Sequence, residues 1–234
     1  MIIENLDWDS DFFNYKIGKL ILEENQLFDI GEFLKKAEKH QLIYVFSKQI
    51  INNDLLELVD NKVVFKKNII EYSEEIVTDA FEIKSFDYTI HDYNELEKLA
   101  IESGAFSRFK IDANFKNGEF EKLYSRWIEL SAKKELAFDV LVATNKENSI
   151  LGFVTLNKKN ENLVDIGLVA VSEMARGKGI AKKLLNYSFN KSIELGYNEI
   201  QVVTQFNNLP AMNLYESVGF KITEKTFIYH YWNL

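Results

Sequence analysis

The chain has 234 residues, of which 47% are hydrophobic and 14% aromatic, with a formal net charge of −8 and no cysteine. This length accommodates one large domain or two modest ones, and the composition predicts a packed core rather than a disordered chain. The negative charge argues against a general nucleic-acid binder, and the lack of cysteine excludes disulfides, thiolate metal sites and a cysteine nucleophile.

The amino-terminal part is predicted to alternate strands with one helix. Three of its segments are strand-like: residues 16–22, 42–47 and 62–70. Apolar residues recur at helical spacing over residues 30–37. A polar, acidic stretch at residues 72–78 follows, and we therefore expect a small N-terminal α/β domain over residues 1–80 and a second domain over residues 81–234.

The second domain is predicted to begin with two amphipathic helices, one around Leu96 and one over Phe120–Ile128. Three apolar strands with polar breaks then indicate an antiparallel meander: residues 138–144, 150–156 and 163–171. A helix over residues 179–195, ended by Gly196, leads to a strand at residues 199–204, and such a crossover normally joins parallel strands. A short helix and a last strand are expected at residues 208–217 and 221–232. The expected fold is α/β (α+β), with a mixed, mostly antiparallel sheet flanked by helices.

An anion site is predicted where the third meander strand enters the long helix, at the sequence Arg176-Gly177-Lys178-Gly179-Ile180-Ala181. Backbone N–H groups at a helix start lack partners, and the helix dipole adds roughly half a positive charge, which suits a pyrophosphate. Glycine allows phosphate oxygens to approach the main chain, and Arg176 and Lys178 add positive charge. The alternative is that the glycines only make a tight turn. The segment matches neither the nucleotide-hydrolase loop nor the dinucleotide fingerprint.

This loop resembles the cofactor signature of the GNAT superfamily of N-acetyltransferases, in which the equivalent segment grips the coenzyme A pyrophosphate. Residues Asn208–Phe220 resemble the family's Asn-x-x-Ala-x-x-Leu-Tyr-x-x-x-Gly-Phe helix, at the expected distance beyond the first motif. The resemblance covers residues 85–234. It implies a GNAT fold and an N-acetyltransferase that uses acetyl-CoA as co-substrate, without a metal.

The resemblance also implies roles for particular residues. Main-chain groups of Val169 and Val171 would hold the thioester and the pantetheine arm, the residues of the glycine loop would hold the pyrophosphate, and Asn208 would contact the cofactor. Glu173 departs from the family pattern, because many members carry proline at this position. We expect a small effect from that departure.

Tyr215 is the candidate acid, because the family commonly uses the tyrosine at this helix position to protonate the coenzyme A sulfur. A phenol with a pKa near about 10 is protonated at neutral pH. Packing of this ring onto the sheet is the alternative. Without cysteine, direct attack by the amine in a ternary complex is expected. Asp165 is the candidate base, acting directly or through water, although it could also face solvent or pair with a lysine.

The segment before the meander suggests an acceptor. Arg108, Phe109 and Lys110 lie in a stretch that resembles the acceptor region of bacterial TDP-fucosamine acetyltransferases of the WecD type, and residues 7–13 are similar to their N-terminal domain. The resemblance implies a nucleotide-linked amino sugar as acceptor, with cations for phosphate and a ring for apolar faces. The alternatives are an arginine stem packed over aromatic rings, another small-molecule or protein amine as acceptor, and a non-catalytic coenzyme-A-binding sensor.

The expected location and the absence of a metal site are inferred from features that the sequence lacks. No secretion signal or apolar run of about 18 residues is present, so no membrane span is expected, and the cytoplasm is the expected location. His40, His91 and His230 are far apart and lack ligand spacing, so no metal is expected. The oligomeric state stays open, with a homodimer among the alternatives.

Overall fold

The computed structural model describes residues 1–73 and 80–233. The chain forms two compact units: unit 1 comprises residues 1–63, 205–207 and 224–234, and unit 2 comprises residues 64–204 and 208–223. The boundary between residues 80 and 81 stays a prediction, and most of the polar stretch expected to precede it lies outside the described residues.

Unit 1 is built around a strand-helix-strand crossover. Its elements are β1 (Ile3–Asn5), α1 (Asp7–Phe13), β2 (Ile17–Leu22), α2 (Ile30–Ala37), β3 (Leu42–Ser47) and the first part of β4 (Glu57–Asn68). The carboxylate of Asp29 accepts the backbone N–H of Glu32 at 3.0 Å and so caps the start of α2. The predicted helix and the strand at residues 42–47 are confirmed. The short elements β1 and α1 were not predicted.

The apolar face of α2 supplies one side of the core of unit 1. Because the crossover through α2 makes β2 and β3 parallel, Ile17 lies opposite Leu42, and alternate residues of both strands face the helix. These residues form one buried cluster: Leu20, Leu22, Phe33, Ala37, Ile43, Val45, Leu56 and Tyr229.

Unit 2 contains the rest of β4 and the remaining elements. These are β5 (Glu82–Ser85), α3 (Tyr93–Ser103), α4 (Arg108–Ile111), α5 (Glu119–Ala132), β6 (Asp139–Thr144), β7 (Ile150–Lys158), β8 (Leu163–Val171), a 3₁₀ turn (Glu173–Ala175), α6 (Ile180–Glu194), β9 (Glu199–Gln205), α7 (Leu209–Ser217) and β10 (Lys221–Trp232), whose second part belongs to unit 1. Both long amphipathic helices, the three meander strands and the crossover helix are confirmed. The single turn α4 and the short strand β5 were not predicted.

The strands of unit 2 follow the order β9-β8-β7-β6-β5. The pairs β5–β6, β6–β7 and β7–β8 are antiparallel, whereas β8 and β9 are parallel. The parallel pair follows from α6, which returns the chain to the same end of the sheet before β9 begins. The expected mixed, mostly antiparallel sheet with flanking helices is confirmed.

Candidate active site

The glycine loop between β8 and α6 adopts a conformation that favours glycine. Gly177 and Gly179 both have a φ of +76°, in the left-handed region, and Gly179 is the N-cap of α6 without any side-chain capping bond. A Cβ added at either position would meet no atom within 4 Å. The space above both residues is therefore open, and a ligand can approach the backbone there.

Consecutive backbone N–H groups of this loop have no acceptor among the described residues. They belong to Gly177, Lys178, Gly179, Ile180, Ala181 and Lys182, and the first helical bond of α6 is made by Lys183, which donates to the Gly179 carbonyl at 3.0 Å. The positive end of the α6 dipole adds to these donors. The Arg176 Nε donates to the Val171 carbonyl at 3.3 Å, which holds a cation at the start of the loop. This arrangement can bind an anion with several oxygens, such as a pyrophosphate.

The strands β8 and β9 separate just before the loop. Their parallel register ends at the pair Ile166 and Val202, yet β8 continues to Val171 while paired only with β7 on its other edge. The edge of β8 that faced β9 is therefore free of strand partners over its last residues, and this gap leads towards the glycine loop.

The N–H groups along this part of β8 point alternately to β7 and to the gap. The Leu168 N–H donates to the Thr155 Oγ1 of β7 at 2.9 Å, at a register shift between the two strands, and the Ser172 N–H donates to a carbonyl of Leu151 at 2.8 Å. Because successive N–H groups of a strand point to opposite edges, those of Val169 and Val171 point into the gap. This is the orientation needed for the predicted main-chain contacts.

Tyr215 lies in α7, the short helix that follows β9. The helix starts at Asn208, whose side-chain oxygen accepts the Ala211 N–H at 3.3 Å; its predicted cofactor contact stays a prediction. The Tyr215 ring is buried, with its centroid 5.6 Å from that of Phe65 and 5.8 Å from that of Phe220. Burial raises the pKa of Tyr215 well above its usual range, so the phenol stays protonated at neutral pH.

Asp165 lies near the end of the part of β8 that pairs with β9. Its carboxylate oxygen accepts a hydrogen bond from the Gln201 Nε2 of β9 at 2.6 Å, and across β7 its neighbour is Asn157. A Cβ at Gly167 would lie 2.9 Å from the Asn157 Nδ2 and from the Thr155 Oγ1, so a residue without a side chain lets these polar groups lie against β8. Sequence reasoning did not identify Gln201, because its position opposite Asp165 depends on the strand register.

The predicted acceptor residues lie on α4 and pack against aromatic rings. The Arg108 guanidinium lies 4.5 Å from the centroid of the Phe109 ring, and the Lys110 Nζ lies 5.1 Å from that of Phe120. The Phe109 ring is buried, 5.5 Å from that of Phe115. The contacts of Phe109 are therefore those of a core residue, while Lys110 is exposed to solvent.

Two further properties concern the part of the chain that the structure describes. Within residues 1–73 and 80–233, no three His, Asp or Glu side chains are grouped as a metal site would require. Over the same residues, every helix is too short or too polar to cross a lipid bilayer.

Comparisons with known proteins give a consistent family match. A sequence profile described as the Acetyltransferase (GNAT) family matches residues 93–220, more than half of the chain. This segment extends from the start of α3 to the residue before β10. It includes β8, the glycine loop and α7.

Three curated relatives match parts of the chain. Streptothricin acetyltransferase of Escherichia coli is 29% identical over 37% of this chain and 58% of its own length. N-alpha-acetyltransferase 30 of Saccharomyces cerevisiae is 40% identical over 28% of this chain and 37% of its own length. The spore coat polysaccharide biosynthesis protein SpsD of Bacillus subtilis is 26% identical over 58% of this chain and 46% of its own length. The chain thus spans between 37% and 58% of these relatives.

A solved structure shares the fold. The GCN5-related N-acetyltransferase from Sphaerobacter thermophilus superposes with a TM-score of 0.56 at 17% identity, covering 86% of this chain and 63% of that one. At this identity the likeness supports the fold alone.

Proposed function

Because the chain belongs to the acetyltransferase (GNAT) family, whose members use acetyl-CoA, we propose that the whole protein transfers an acetyl group from acetyl-CoA to a primary amine. The row of unpartnered N–H groups from Gly177 to Lys182 carries the proposal. An open loop with a helix N-terminus and two nearby cations fits the pyrophosphate of coenzyme A. The gap beside Val169 and Val171 fits the extended pantetheine arm.

Two side chains, Asp165 and Tyr215, supply the acid-base chemistry. When bound, acetyl-CoA supplies the activated acetyl group as a thioester. Asp165 accepts the proton that the attacking amine releases as its nitrogen forms the new C–N bond. Tyr215 donates its phenolic proton to the sulfur as the C–S bond breaks. The proton count balances, with one proton leaving the amine and one reaching the thiol.

We propose a nucleotide-linked amino sugar as the acceptor. Lys110 and Arg108 place two cations on α4 beside aromatic rings, which is a suitable combination for a nucleoside diphosphate. The likeness to SpsD, a polysaccharide biosynthesis protein, points in the same direction and spans more of this chain than the likeness to streptothricin acetyltransferase.

The test is acetyl-CoA consumption by the purified protein, read out as free thiol, with three acceptors: a TDP-linked 4-amino-4,6-dideoxy sugar, spermidine and a lysine peptide. We expect turnover with the sugar and an increase in its KM in Arg108→Gln, with the KM for acetyl-CoA unchanged. Arg126→Gln is the matched control, because Arg126 is an exposed arginine of α5 paired with Glu129.

The other outcomes separate the alternatives. Turnover only with spermidine or the peptide would retain acetyl transfer and reject the sugar. Coenzyme A binding without turnover of any acceptor would reject catalysis and favour a sensor.

A further inference from the structure

We infer that Gln201 is a positioning residue that holds the Asp165 carboxylate for proton transfer; this inference rests on the proposed acetyl transfer. Three polar side chains occupy neighbouring positions across three strands. Asn157 of β7 lies opposite Asp165 of β8, and Asp165 lies opposite Gln201 of β9. These positions share one face of the sheet, because directly opposite residues of paired strands point the same way.

The hydrogen bond between Gln201 and Asp165 is short, and the Gln201 side chain is largely buried from solvent. The distance from the Gln201 Nε2 to the Asp165 Oδ1 is 2.6 Å, and Gln201 is only 7% exposed. A buried amide is costly unless it is hydrogen-bonded, and a bond to an ionised oxygen in such surroundings is stronger than one in water. Gln201 therefore fixes the direction of the carboxylate and favours its ionised form, which is the form that a general base requires.

The position of this pair in the sheet connects it with the reaction. The pair Ile166 and Val202, which comes directly after Asp165 and Gln201, is the last one in the parallel register. Beyond this pair, the edge of β8 has no strand partner, and the N–H group of Val169 points into the gap. Gln201 of β9 donates its side-chain hydrogen bond to Asp165 at this closed end of the gap.

The elements packed around this pair carry further ionisable groups among the described residues. On the same face of the neighbouring strands, Asn157 and Thr155 are neutral, and Glu199 lies two residues before Gln201. The helix α3 also packs against β8, and α6 lies on the opposite face, where its Lys191 is 3.9 Å from Asp139. The ionisable residues of these helices are Tyr93, Glu95, Glu97, Lys98 and Glu102 on α3, and Lys182, Lys183, Tyr187, Lys191 and Glu194 on α6. They are common to the wild type and to every variant of Gln201, so a difference between these proteins reports on position 201.

The test is the pH dependence of kcat/KM for the TDP-linked 4-amino-4,6-dideoxy sugar. It is measured for the wild type, Gln201→Met and Gln201→Glu. Methionine keeps the size of the side chain and removes the donor. We expect the acid limb to move to higher pH by about one unit in Gln201→Met, equivalent to about tenfold in proton affinity, and further in Gln201→Glu. The KM for acetyl-CoA should stay within about twofold of the wild type. Gln205→Met, at the end of the same strand, is the matched control and should leave the limb unchanged.

A lower kcat at every pH with an unmoved acid limb in both Gln201 variants would overturn the inference, because a purely structural role predicts that pattern. A protein without turnover would reject the proposed function, and the inference would then be decided by NMR titration of the Asp165 carboxyl carbon. A carboxyl pKa higher in Gln201→Met than in the wild type would support the contact as the determinant of its ionisation. Equal pKa values would overturn it.

Discussion

Alanine at Gly179 and alanine at Gly196, which lies beyond the other end of α6, should cause similar backbone strain. Comparison of the two variants therefore separates the effect of strain from the effect on ligand binding. Gly179 has a φ of +76° and Gly196 a φ of +87°, and a Cβ at either position would meet nothing within 4 Å. A left-handed conformation costs an alanine about 1–2 kcal/mol relative to glycine. We therefore expect Gly179→Ala and Gly196→Ala to lower the free energy of unfolding by similar amounts, about 1–2 kcal/mol each, in urea titrations.

Binding of coenzyme A should distinguish the two variants. A methyl group at Gly179 enters the open space in front of the unpartnered N–H groups, where a phosphate oxygen would lie. Loss of one charge-assisted hydrogen bond costs about 1.5–3 kcal/mol, which corresponds to a rise in Kd of about 10- to 100-fold. Gly196→Ala should bind coenzyme A within about twofold of the wild type, since Gly196 lies at the far end of the helix.

Isothermal titration with coenzyme A and with pantetheine provides the measurement. Pantetheine lacks the pyrophosphate, so its Kd should be the same in Gly179→Ala and in the wild type. Equal affinity of Gly179→Ala and Gly196→Ala for coenzyme A would refute the assignment of the loop to the pyrophosphate. An equal loss of affinity for both ligands would place the effect on the pantetheine arm instead.

Three further predictions concern the acid, the packing of α3 and the effect of pH. Tyr215→Phe should lower kcat by about 100-fold or more with little change in melting temperature, because the buried ring is retained while the proton is lost. Gly104→Ala would place a Cβ 2.5 Å from a ring atom of Phe120 and should cost about 1–3 kcal/mol of unfolding free energy, measured in urea. Burial lowers the pKa of His91, whose Nδ1 accepts the backbone N–H of Asp87 at 2.9 Å, so the folded state binds fewer protons than the unfolded chain below about pH 6.5. The unfolding free energy should therefore fall as the pH drops through this range, and His91→Gln should flatten that part of the curve; an unchanged curve in this variant would contradict the assignment.

The sequence was informative where local chemistry determines structure. The sequence predicts the glycine loop because glycine at 177 and 179 lets phosphate oxygens approach the main chain at a helix start, and such a requirement is visible at single positions. The structure adds that both residues have a positive φ. The sequence predicts the meander strands and α6 because their apolar residues recur with a regular spacing over many positions, which is a strong local signal for secondary structure. The strand β8 even has the predicted bounds, Leu163–Val171.

The sequence is less informative where contacts between distant segments determine whether a helix forms or a side chain is buried. The single turn α4 is too short for any periodicity, and it is held by the Ser107 cap, whose hydroxyl accepts the Phe109 N–H at 3.4 Å. The predicted acceptor contact of Phe109 stays a prediction, and its ring is buried beside Phe115. A run of aromatic and basic residues is equally typical of a packed helix and of a binding surface, so the sequence pattern does not distinguish the two.

The two halves of the candidate site therefore differ in how they are encoded and in how they should respond to mutation. The anion-binding half consists mainly of main-chain N–H groups, with the Arg176 cation at the start of the loop, so changes that alter backbone conformation or fill the space in front of it, as at Gly179, should affect ligand affinity most strongly. The acid-base half consists of side chains on separate strands and a helix, joined by register and packing, as in the bond between Asp165 and Gln201. Changes there should act on kcat and on its pH dependence, while the affinity for coenzyme A stays near that of the wild type. A variant of Gln201 that weakened coenzyme A binding as much as it lowered kcat would show that the two halves are coupled through β8.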